Sequence, residues 1–357
     1  MANILFTESS PNLGGQELQL LEQARGLAGR GIEVRLACPS ASRIAALAPE
    51  FGVPVSPVAF RNSLHPPSVL RVRKLVAQLR PDAVVCHSGH DADVCALAAR
   101  LIPRRPRLIR VRTYQHGLPH AWTYNRLFDR TLVPSEEMRA RLLANRRVRA
   151  ERIAVLRPGI AFGALEARSR QPVDDGLENA LAGFPARRIT HAAMLRAEKG
   201  HLLMLEVLAR LRLRDVCYVI AGEGEMAQSL RTKVKDYGLE KSVLFAGLVR
   251  NLPALYARSE LVVMPSTYEP LGMSQIEALG LGVPVVASRV GGIPETVEDR
   301  RTGLLVAPGE RDAWAEALTW ALEHREEMRA FAVAGRADVR QRFDLKIILD
   351  QLVAHLA

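Results

Sequence analysis

The stretch that decides the fold is "NILFTESSPNLGGQELQLLEQARGLAGRGIEVRLAC", residues 3–38. Its first five residues form a short apolar run, which is typical of a buried strand. After a polar loop, apolar residues from Leu18 to Leu27 recur at helical spacing, and Gly29 and Gly31 end this pattern. The alternating segment "IEVRLAC" follows as a second strand. The stretch therefore predicts a β-loop-α-β unit, which is a building block of parallel sheets.

The same alternation continues along the chain. The segments "DAVVCHSGHDADVCALAARLI" and "FDRTLVPSEEMRARLLANR" each join an apolar run to a helical pattern, the second helix starting at Ser135. Residues 153–188 contain Pro, Gly and charges without a sustained period, and this composition favours a linker and the start of a second unit. Strand and helix patterns alternate again beyond it. We therefore predict an α/β protein with two Rossmann-like domains.

Chain length supports this division, since 357 residues exceed the usual size of a single core. The predicted N-terminal domain covers residues 1–158, and the predicted C-terminal domain covers residues 159–340. Residues 341–357 are expected to form a C-terminal helix that could pack back on the N-terminal domain. The sequence starts directly with a strand-like run, so no secretory signal is expected. No apolar run reaches the roughly 18 residues that a membrane-spanning helix needs.

The net charge of +11 is unevenly distributed. Residues 1–158 hold 24 Lys and Arg against 12 Asp and Glu, while residues 159–357 hold 25 against 26. A one-sided basic field suits an anionic partner such as lipid headgroups, a phosphorylated acceptor or nucleic acid. The basic helices in 68–80 and 138–152 are candidate membrane contacts, and a solvated Arg-rich surface is the open alternative. Aromatic residues make up 5% of the chain, so the stacking platforms of single-strand binders are not expected and we predict no nucleic-acid partner.

A second stretch, "YEPLGMSQIEALGLGVPVVAS" at 268–288, contains two glutamates eight positions apart. Pro270 disfavours helix at Glu269, and Gly272 permits a tight turn, so a helix is expected to begin near Met273. Glu277 then lies in its first turn. The free N–H groups at such a start, with the helix dipole, form an anion site suited to a diphosphate. In the alternative interpretation Glu277 only complements the dipole and Glu269 is a surface loop residue.

The order of motifs resembles the E-x7-E region of the retaining, GT-B-fold glycosyltransferases of family 4, the glycosyl transferases group 1. The motifs are "GGQE" at 14–17, "RAEKG" at 196–200, "AGEGE" at 221–225, "FAGLVRNLPALYARSELVVMPS" at 245–266 and the stretch at 268–288. The resemblance covers nearly the whole chain and is strongest over 189–310. It implies two Rossmann-like domains facing each other across a cleft.

The resemblance also implies roles for single residues. Glu277 is expected to hold the ribose hydroxyls of a nucleotide, and Glu269 is expected to contact the donor sugar. Lys199 is expected to neutralise the leaving diphosphate, and the backbone of Val249 is expected to meet the nucleobase. The implied donor-binding set is Gly14, Gly15, Arg196, Lys199, Gly222, Val249, Glu269, Leu271, Gly272, Met273 and Glu277.

The implied catalytic set is Glu269, His116, Lys199 and Arg196, with His116 expected beside the transferred sugar. Where the family usually has an arginine, this chain has Met194. If the strand remains extended there, residues two apart share a face, and Arg196 could reach the same phosphate. His87 and His90, at the carboxyl end of a strand, are candidate acceptor-binding residues.

Competing sites are less well supported. Cys86, His87, Asp91 and Cys95 have tempting metal-ligand spacing, but both cysteines lie in apolar patterns, and the four cysteines of the chain are expected to be reduced core thiols. The segment "NLGGQE" lacks the G-x-G-x-x-G pattern of a nicotinamide site. We therefore predict no metal and no cofactor, because the nucleotide sugar is a substrate.

The predicted function is retaining transfer of a sugar from a UDP- or GDP-sugar to a hydroxyl of a glycan, lipid-linked or phosphorylated acceptor. Lipopolysaccharide or envelope polysaccharide synthesis is the expected context. The expected location is cytoplasmic, at the inner face of the cell membrane as a peripheral protein. A nucleotide-sugar epimerase of GT-B-like fold is the alternative enzyme, whereas a glycosidase would have no use for a phosphate site.

Overall fold

The structure is a computed structural model that describes residues 3–114 and 117–356, apart from the side chain of Asp175. The chain forms two compact units. One comprises the described residues up to Gly159 together with the terminal helix Leu345–Leu356, and the other is Ile160–Asp344. The break after Gly159 lies one residue beyond the expected boundary at 158. The second break, after Asp344, lies four residues beyond residue 340.

The N-terminal unit is built on a parallel sheet with the strand order β3-β2-β1-β4-β5-β6-β7. Its strands are β1 (Asn3–Thr7), β2 (Glu33–Cys38), β3 (Val55–Pro57), β4 (Ala83–Cys86), β5 (Arg107–Val111), β6 (Arg130–Val133) and β7 (Ile153–Val155). Ile4 and Phe6 pack in one core cluster while Leu5 packs in another. Side chains of β1 therefore reach both faces of the sheet, as a doubly covered parallel sheet requires.

The helices of this unit cover the two faces of its sheet. They are α1 (Gly15–Ala28), α2 (Arg43–Leu47), α3 (Pro66–Leu79), α4 (Gly89–Arg100) and α5 (Glu136–Leu143). The sequence predicted that Leu18 begins the buried face of α1. This prediction is wrong, because Leu18 is 41% exposed and Leu20 is fully buried instead. Leu21 and Leu27 are buried as expected.

The C-terminal unit is built on a second parallel sheet with the strand order β10-β9-β8-β11-β12-β13. Its strands are β8 (Arg187–Ala192), β9 (Val216–Ala221), β10 (Val243–Gly247), β11 (Leu261–Met264), β12 (Val285–Ser288) and β13 (Leu304–Val306). Val262 and Met264 pack on one face, and Leu261 and Val263 pack on the other. Since these strands are parallel, the loops that follow them emerge at one edge of the sheet.

Residues 153–188 contain the start of the second unit at Ile160, as expected, but most of the segment is regular structure and not a linker. Strand β7 and two helices, α6 (Phe162–Ser169) and α7 (Asp175–Ala182), lie in this segment. Each helix has eight residues, about two turns, which is too short to show a helical period in the sequence. The remaining helices of the unit are α8 (His201–Leu211), α9 (Ala227–Asp236), α10 (Leu252–Ala257), α11 (Ser274–Gly280), α12 (Arg311–Glu323) and α13 (Arg325–Phe343).

The terminal helix α14 (Leu345–Leu356) packs in the core of the N-terminal unit. Its Ile348, Leu349 and Leu352 are buried there among the apolar side chains of α1 and β1. Gly26 on α1 makes this packing possible, because a Cβ at that position would lie 2.4 Å from a methyl group of Leu349. The helix begins four residues later than the expected start at 341.

Two further expectations concern cysteines and membrane spans. Cys38, Cys86, Cys95 and Cys217 are all buried and free. Within 3–114 and 117–356, no helix combines the length and the apolar character that a membrane crossing needs.

Candidate functional site

The predicted donor residues of the C-terminal unit lie at the carboxyl edge of its sheet. Arg196 and Lys199 follow β8, Gly222 follows β9, Val249 follows β10, and Glu269, Leu271, Gly272, Met273 and Glu277 follow β11. Residues from four separate loops therefore come to the same edge. Ligands of open α/β sheets bind at this edge.

Lys199 and Glu269 form an ion pair. The Lys199 Nζ donates to Glu269 Oε2 at 2.6 Å, and the two side chains are 16% and 10% exposed. The loops that carry them are also joined by their backbones, since the Thr267 N–H donates to the Glu198 carbonyl at 2.8 Å. A pair so far removed from water needs both partners, because either charge alone would be poorly solvated. The structure thus joins two side chains for which the sequence predicted separate roles.

Two glycines allow this close approach of the loops. Gly200 has φ +77°, and a Cβ there would lie 2.1 Å from the Pro265 carbonyl oxygen. Gly291 has φ +55°, and a Cβ there would lie 1.8 Å from the Glu269 carbonyl oxygen, which also accepts a hydrogen bond from the Gly292 N–H at 3.1 Å. Gly291 was not predicted to be part of the site, although a glycine pair soon after an apolar strand is a signal of close backbone approach.

Helix α11 begins at Ser274 with Met273 as its N-terminal cap, as the sequence predicted. Gly272 has φ +86°, which explains the glycine at the turn. The Ser274 Oγ donates to the Ala192 carbonyl at 2.7 Å and ties the start of the helix to the end of β8. In the described part of the chain, the backbone N–H groups of Gly272 and Met273 donate no hydrogen bond. These two donors are therefore available to an anion.

Glu277 lies in the first turn of α11 and is half-buried. Burial raises the pKa of its carboxyl to about 7, while the nearby Arg168 charge and the Tyr256 hydroxyl act to lower it. Tyr256 is fully buried beside it on α10. A carboxyl with a pKa near 7 is partly ionised at neutral pH, and its ionised form can accept hydrogen bonds from ligand hydroxyl groups.

The raised pKa of Glu277 predicts a pH-dependent stability. The ordinary pKa of a glutamate is 4.5, and that of Glu277 in the folded chain is about 7. Between these two pH values, the carboxyl keeps its proton in the folded chain but loses it in the unfolded chain. The Glu277 carboxyl therefore contributes to the free energy of unfolding below pH 4.5, and this contribution is lost as the pH rises through 7. We expect Glu277→Gln to unfold at a higher temperature than the wild type at pH 8, on the order of 1 kcal/mol or about 2–4 °C.

Thermal unfolding between pH 4.5 and pH 8 measures this difference. The expected gap closes towards pH 4.5, because the wild-type carboxyl is then protonated in the folded state and already half-protonated in the unfolded state. Glu223→Gln, which changes an exposed glutamate at the same edge, serves as the control for removing a carboxylate. If the difference in unfolding temperature between Glu277→Gln and the wild type stayed constant from pH 4.5 to pH 8, the raised pKa of Glu277 would be contradicted.

The expected geometry at Arg196 is wrong. Strand β8 ends at Ala192, the chain bends at Ala193 and Leu195, and the Arg196 N–H donates to the Met194 carbonyl at 2.9 Å. The strand does not extend through this segment, so the same-face argument for Met194 and Arg196 fails. Arg196 is exposed and forms no ion pair within the described residues.

Val249 and Gly222 lie in neighbouring loops. Val249 is buried two residues after β10, in the same core cluster as Leu271. Gly222 has φ +153°, and a Cβ there would lie 2.0 Å from the Ala193 carbonyl oxygen. The Gly222 N–H donates to the Gly247 carbonyl at 2.8 Å. Gly222 therefore lets the loop after β9 lie against the loop after β8.

A stacked pair of histidines lies beside Lys199. The rings of His191 and His201 are both buried, 3.9 Å apart and nearly parallel. Burial, and then the Lys199 charge, lower the pKa of His201 to about 4. The His191 Nδ1 is 2.6 Å from the Tyr218 hydroxyl. Both rings are therefore neutral at physiological pH, so they add no positive charge beside Lys199. Sequence analysis did not single out this pair.

The other predicted residues lie in the N-terminal unit. Gly14 caps helix α1, which begins at Gly15, and the Gly14 N–H donates to Glu17 Oε2 at 2.7 Å. His87 is buried directly after β4, and its Nδ1 donates to the Thr7 carbonyl at 3.2 Å. His90 is exposed on α4, 3.2 Å from the Ser63 Oγ. His116 lies outside the described residues.

Two buried carboxyls, Asp91 and Glu8, lie near His87. Asp91 was considered only as a possible metal ligand, and Glu8 was not predicted to take part in a site. Asp91 accepts hydrogen bonds from Thr7 Oγ1 at 2.5 Å and from the His87 N–H at 3.1 Å. Burial, and then the Glu8 charge, raise the pKa of Asp91 to about 7. Glu8 accepts from Ser88 Oγ and from Gln16 Nε2. The Cys95 Sγ lies 3.9 Å from Thr7 Oγ1, so Asp91, Glu8 and Cys95 belong to one hydrogen-bonded cluster next to strands β1 and β4.

Family comparisons match both halves of the chain. The family described as Glycosyltransferase Family 4 matches residues 13–162, and the family described as Glycosyl transferases group 1 matches residues 186–338. The second range contains the Lys199–Glu269 pair, Val249 and helix α11.

Two curated relatives are transferases. Residues of the chain are 31% identical over 168 positions to the alpha-D-kanosaminyltransferase of Streptomyces kanamyceticus, covering 46% of this chain and 44% of that protein. They are 35% identical over 149 positions to the GDP-mannose-dependent alpha-(1-6)-phosphatidylinositol monomannoside mannosyltransferase of Mycolicibacterium smegmatis, covering 39% of each chain. The matches thus span less than half the length of these relatives.

A solved structure matches along the whole length. The Anabaena protein HepE in complex with UDP and glucose superposes with a TM-score of 0.86 at 22% identity, covering 100% of this chain and 99% of that one. The predicted fold class, α/β of GT-B type, is confirmed by this match and by the two parallel sheets. The family described as Glycosyl transferases group 1 thus matches most of the C-terminal unit, and the family described as Glycosyltransferase Family 4 matches most of the N-terminal unit.

Proposed function

We propose that the protein is a retaining glycosyltransferase that moves a sugar from a nucleotide diphosphate sugar to an acceptor hydroxyl. The observation that carries this proposal is the arrangement at one sheet edge of two free amides, the Lys199–Glu269 pair and Glu277. A diphosphate fits the amides of Gly272 and Met273, because both donors are unused in the described residues. Glu277 then receives the ribose hydroxyls, and Glu269 the sugar.

Departure of the diphosphate is the step that this arrangement assists. Negative charge develops on the leaving phosphate oxygen, and positive charge on Lys199 together with the helix start stabilises it. The acceptor hydroxyl attacks the anomeric carbon from the face that the diphosphate leaves, and its proton passes to the departing phosphate oxygen, so the configuration of that carbon is retained. Glu269 orients the sugar through its hydroxyl groups. These groups supply the charge stabilisation, so we propose that no resident metal takes part and that EDTA leaves the rate unchanged.

The proposed acceptor is a lipid-linked or phosphorylated glycan of the cell envelope, such as a lipopolysaccharide precursor. The basic N-terminal half supports an anionic acceptor or membrane surface. Large apolar side chains are also exposed there: Leu64 on the loop before α3, Leu70 on α3, and Trp122, over whose ring the Arg100 guanidinium lies at 5.4 Å. Such a mixture of cations and apolar groups suits peripheral contact with the inner face of the cell membrane.

A thermal shift screen with nucleotide sugars tests the proposed donor site. A donor at 100 times its Kd stabilises the folded state by about 2.7 kcal/mol, which raises Tm by several degrees. We expect at least one UDP- or GDP-sugar to give this shift. Glu277→Ala should abolish it, since the ribose loses its carboxylate partner.

The exposed Glu240→Ala is the control variant and should keep the full shift. No shift with any nucleotide sugar would refute the proposed donor site. Product analysis then separates transfer from epimerisation, because transfer yields a glycosylated acceptor and free nucleotide diphosphate, whereas epimerisation returns a nucleotide sugar. The curated relatives are transferases, so the epimerase alternative is not favoured.

A further inference from the structure

Arg168 lies on the last turn of α6, beside the loop that follows β10. Its Nη2 donates to the Arg250 carbonyl at 2.6 Å, one residue beyond Val249. Its charge also reaches the Glu277 carboxyl and lowers that group's pKa. The guanidinium is therefore close to the loop of Val249, whose backbone is expected from the family resemblance to meet the nucleobase. It is also close to Glu277, the proposed partner of the ribose.

The segment around Arg168 is firmly attached to the loop after β10. The Asn251 Nδ2 donates to the Arg168 carbonyl at 3.1 Å and to the Pro172 carbonyl at 3.0 Å. The Arg250 N–H donates to Asp174 Oδ2 at 3.1 Å. Four hydrogen bonds, including that of the Arg168 side chain, thus fix the guanidinium relative to the backbone of Val249.

The backbone of Val249 is available to a ligand. Within the described residues, its N–H and C=O form no backbone hydrogen bond, although its side chain is buried. One donor beside one acceptor can pair with the keto and N–H groups of uracil or guanine. It can pair equally well with the amino group and ring nitrogen of cytosine or adenine. A backbone contact alone therefore does not distinguish these two classes of base.

Arginine can make that distinction because a guanidinium only donates hydrogen bonds. Besides the N–H used by the Arg250 carbonyl, it has donors left for a keto oxygen, and it has no acceptor for an amino group. We propose that Arg168 selects nucleotides whose base carries a keto oxygen beside the ring N–H, as uracil and guanine do, over cytosine and adenine. This inference rests on the proposed function, in which the edge binds a nucleotide sugar.

Calorimetric titration of the full chain with UDP, CDP, GDP and ADP tests the proposal. UDP and CDP form the sharpest pair, because their bases differ at the keto or amino group and the adjacent ring nitrogen. We expect the wild type to bind UDP about tenfold more tightly than CDP, the effect of one partly solvated charged hydrogen bond. If guanine is the natural base, the same ratio appears between GDP and ADP.

Arg168→Gln is the most informative variant, because an amide offers a donor or an acceptor to either base. It should bring the preference to about parity while the protein still binds nucleotide. Arg168→Lys, which only donates, should keep most of the preference. Arg170→Ala, an exposed arginine two residues away, is the matched control and should leave the ratio unchanged.

The outcomes separate this inference from the proposed function. An unchanged keto-to-amino ratio in Arg168→Gln would overturn the role of Arg168 and leave the donor site standing. An equal loss of affinity for all four nucleotides would overturn it too, since Arg168 would then only shape the loop. A wild-type protein that binds none of the nucleotides would refute the proposed function, and this inference with it.

Discussion

Lys199→Ala is expected to lower kcat for sugar transfer by about 10²–10³-fold, because the leaving diphosphate loses a nearby positive charge in a site shielded from water. The same change leaves Glu269 without its partner at 2.6 Å. That carboxyl is 10% exposed and poorly solvated, so the variant should also be less stable by about 1–3 kcal/mol at pH 8. Steady-state kinetics and urea unfolding measure the two effects.

A double variant separates the catalytic effect from the structural one. Lys199→Met with Glu269→Gln removes both charges, so stability should return towards the wild-type value while transfer stays lost. Lys241→Ala, at an exposed turn, is the control for removing a lysine. Full kcat in Lys199→Ala would exclude Lys199 from diphosphate departure.

Gly291→Ala is expected to destabilise the C-terminal unit by about 3 kcal/mol, lowering its Tm by about 6–12 °C. Roughly 1 kcal/mol comes from the left-handed backbone at φ +55°. The rest comes from the new methyl group, which would lie 1.8 Å from the Glu269 carbonyl oxygen and must push that loop away. Because Glu269 moves with the loop, donor binding should also fall. Thermal unfolding and donor titration test both expectations.

Gly238→Ala provides a matched control, since Gly238 has φ +65° and no atom lies within 4 Å of its added Cβ. This variant carries the backbone cost without the collision and should lose only about 1 kcal/mol. Equal losses in the two variants would show that contact with Glu269 does not set the requirement for glycine at 291.

Much of the fold could be predicted because its signals are local. Apolar runs of five or six residues marked strands such as β1 and β9, and Ser135 marked the start of a helix. Helix α11 starts where Pro270 and Gly272 placed it. Short elements escaped prediction, since the eight residues of α6 complete only about two turns and show no period.

The site could be predicted only as a set of separate residues. Sequence placed Lys199 and Glu269 in different motifs, and nothing local indicates that their charged atoms meet. The same-face argument for Arg196 failed because β8 ends at Ala192, and strand ends are among the least reliable features of a sequence pattern. Gly291 could have been recognised as a special position, but the Glu269 carbonyl that makes it special could not.

By itself, the sequence determined the alternation of strands and helices, the two-unit α/β architecture, and the loops that carry the candidate site. These features depend on residues within one or two turns of each other. Tertiary structure alone decided that Lys199 pairs with Glu269, that Arg168 lies against the Arg250 carbonyl, and that α14 completes the N-terminal core. These contacts join residues 70, 82 and more than 300 positions apart, and only the packing of whole elements brings such residues together.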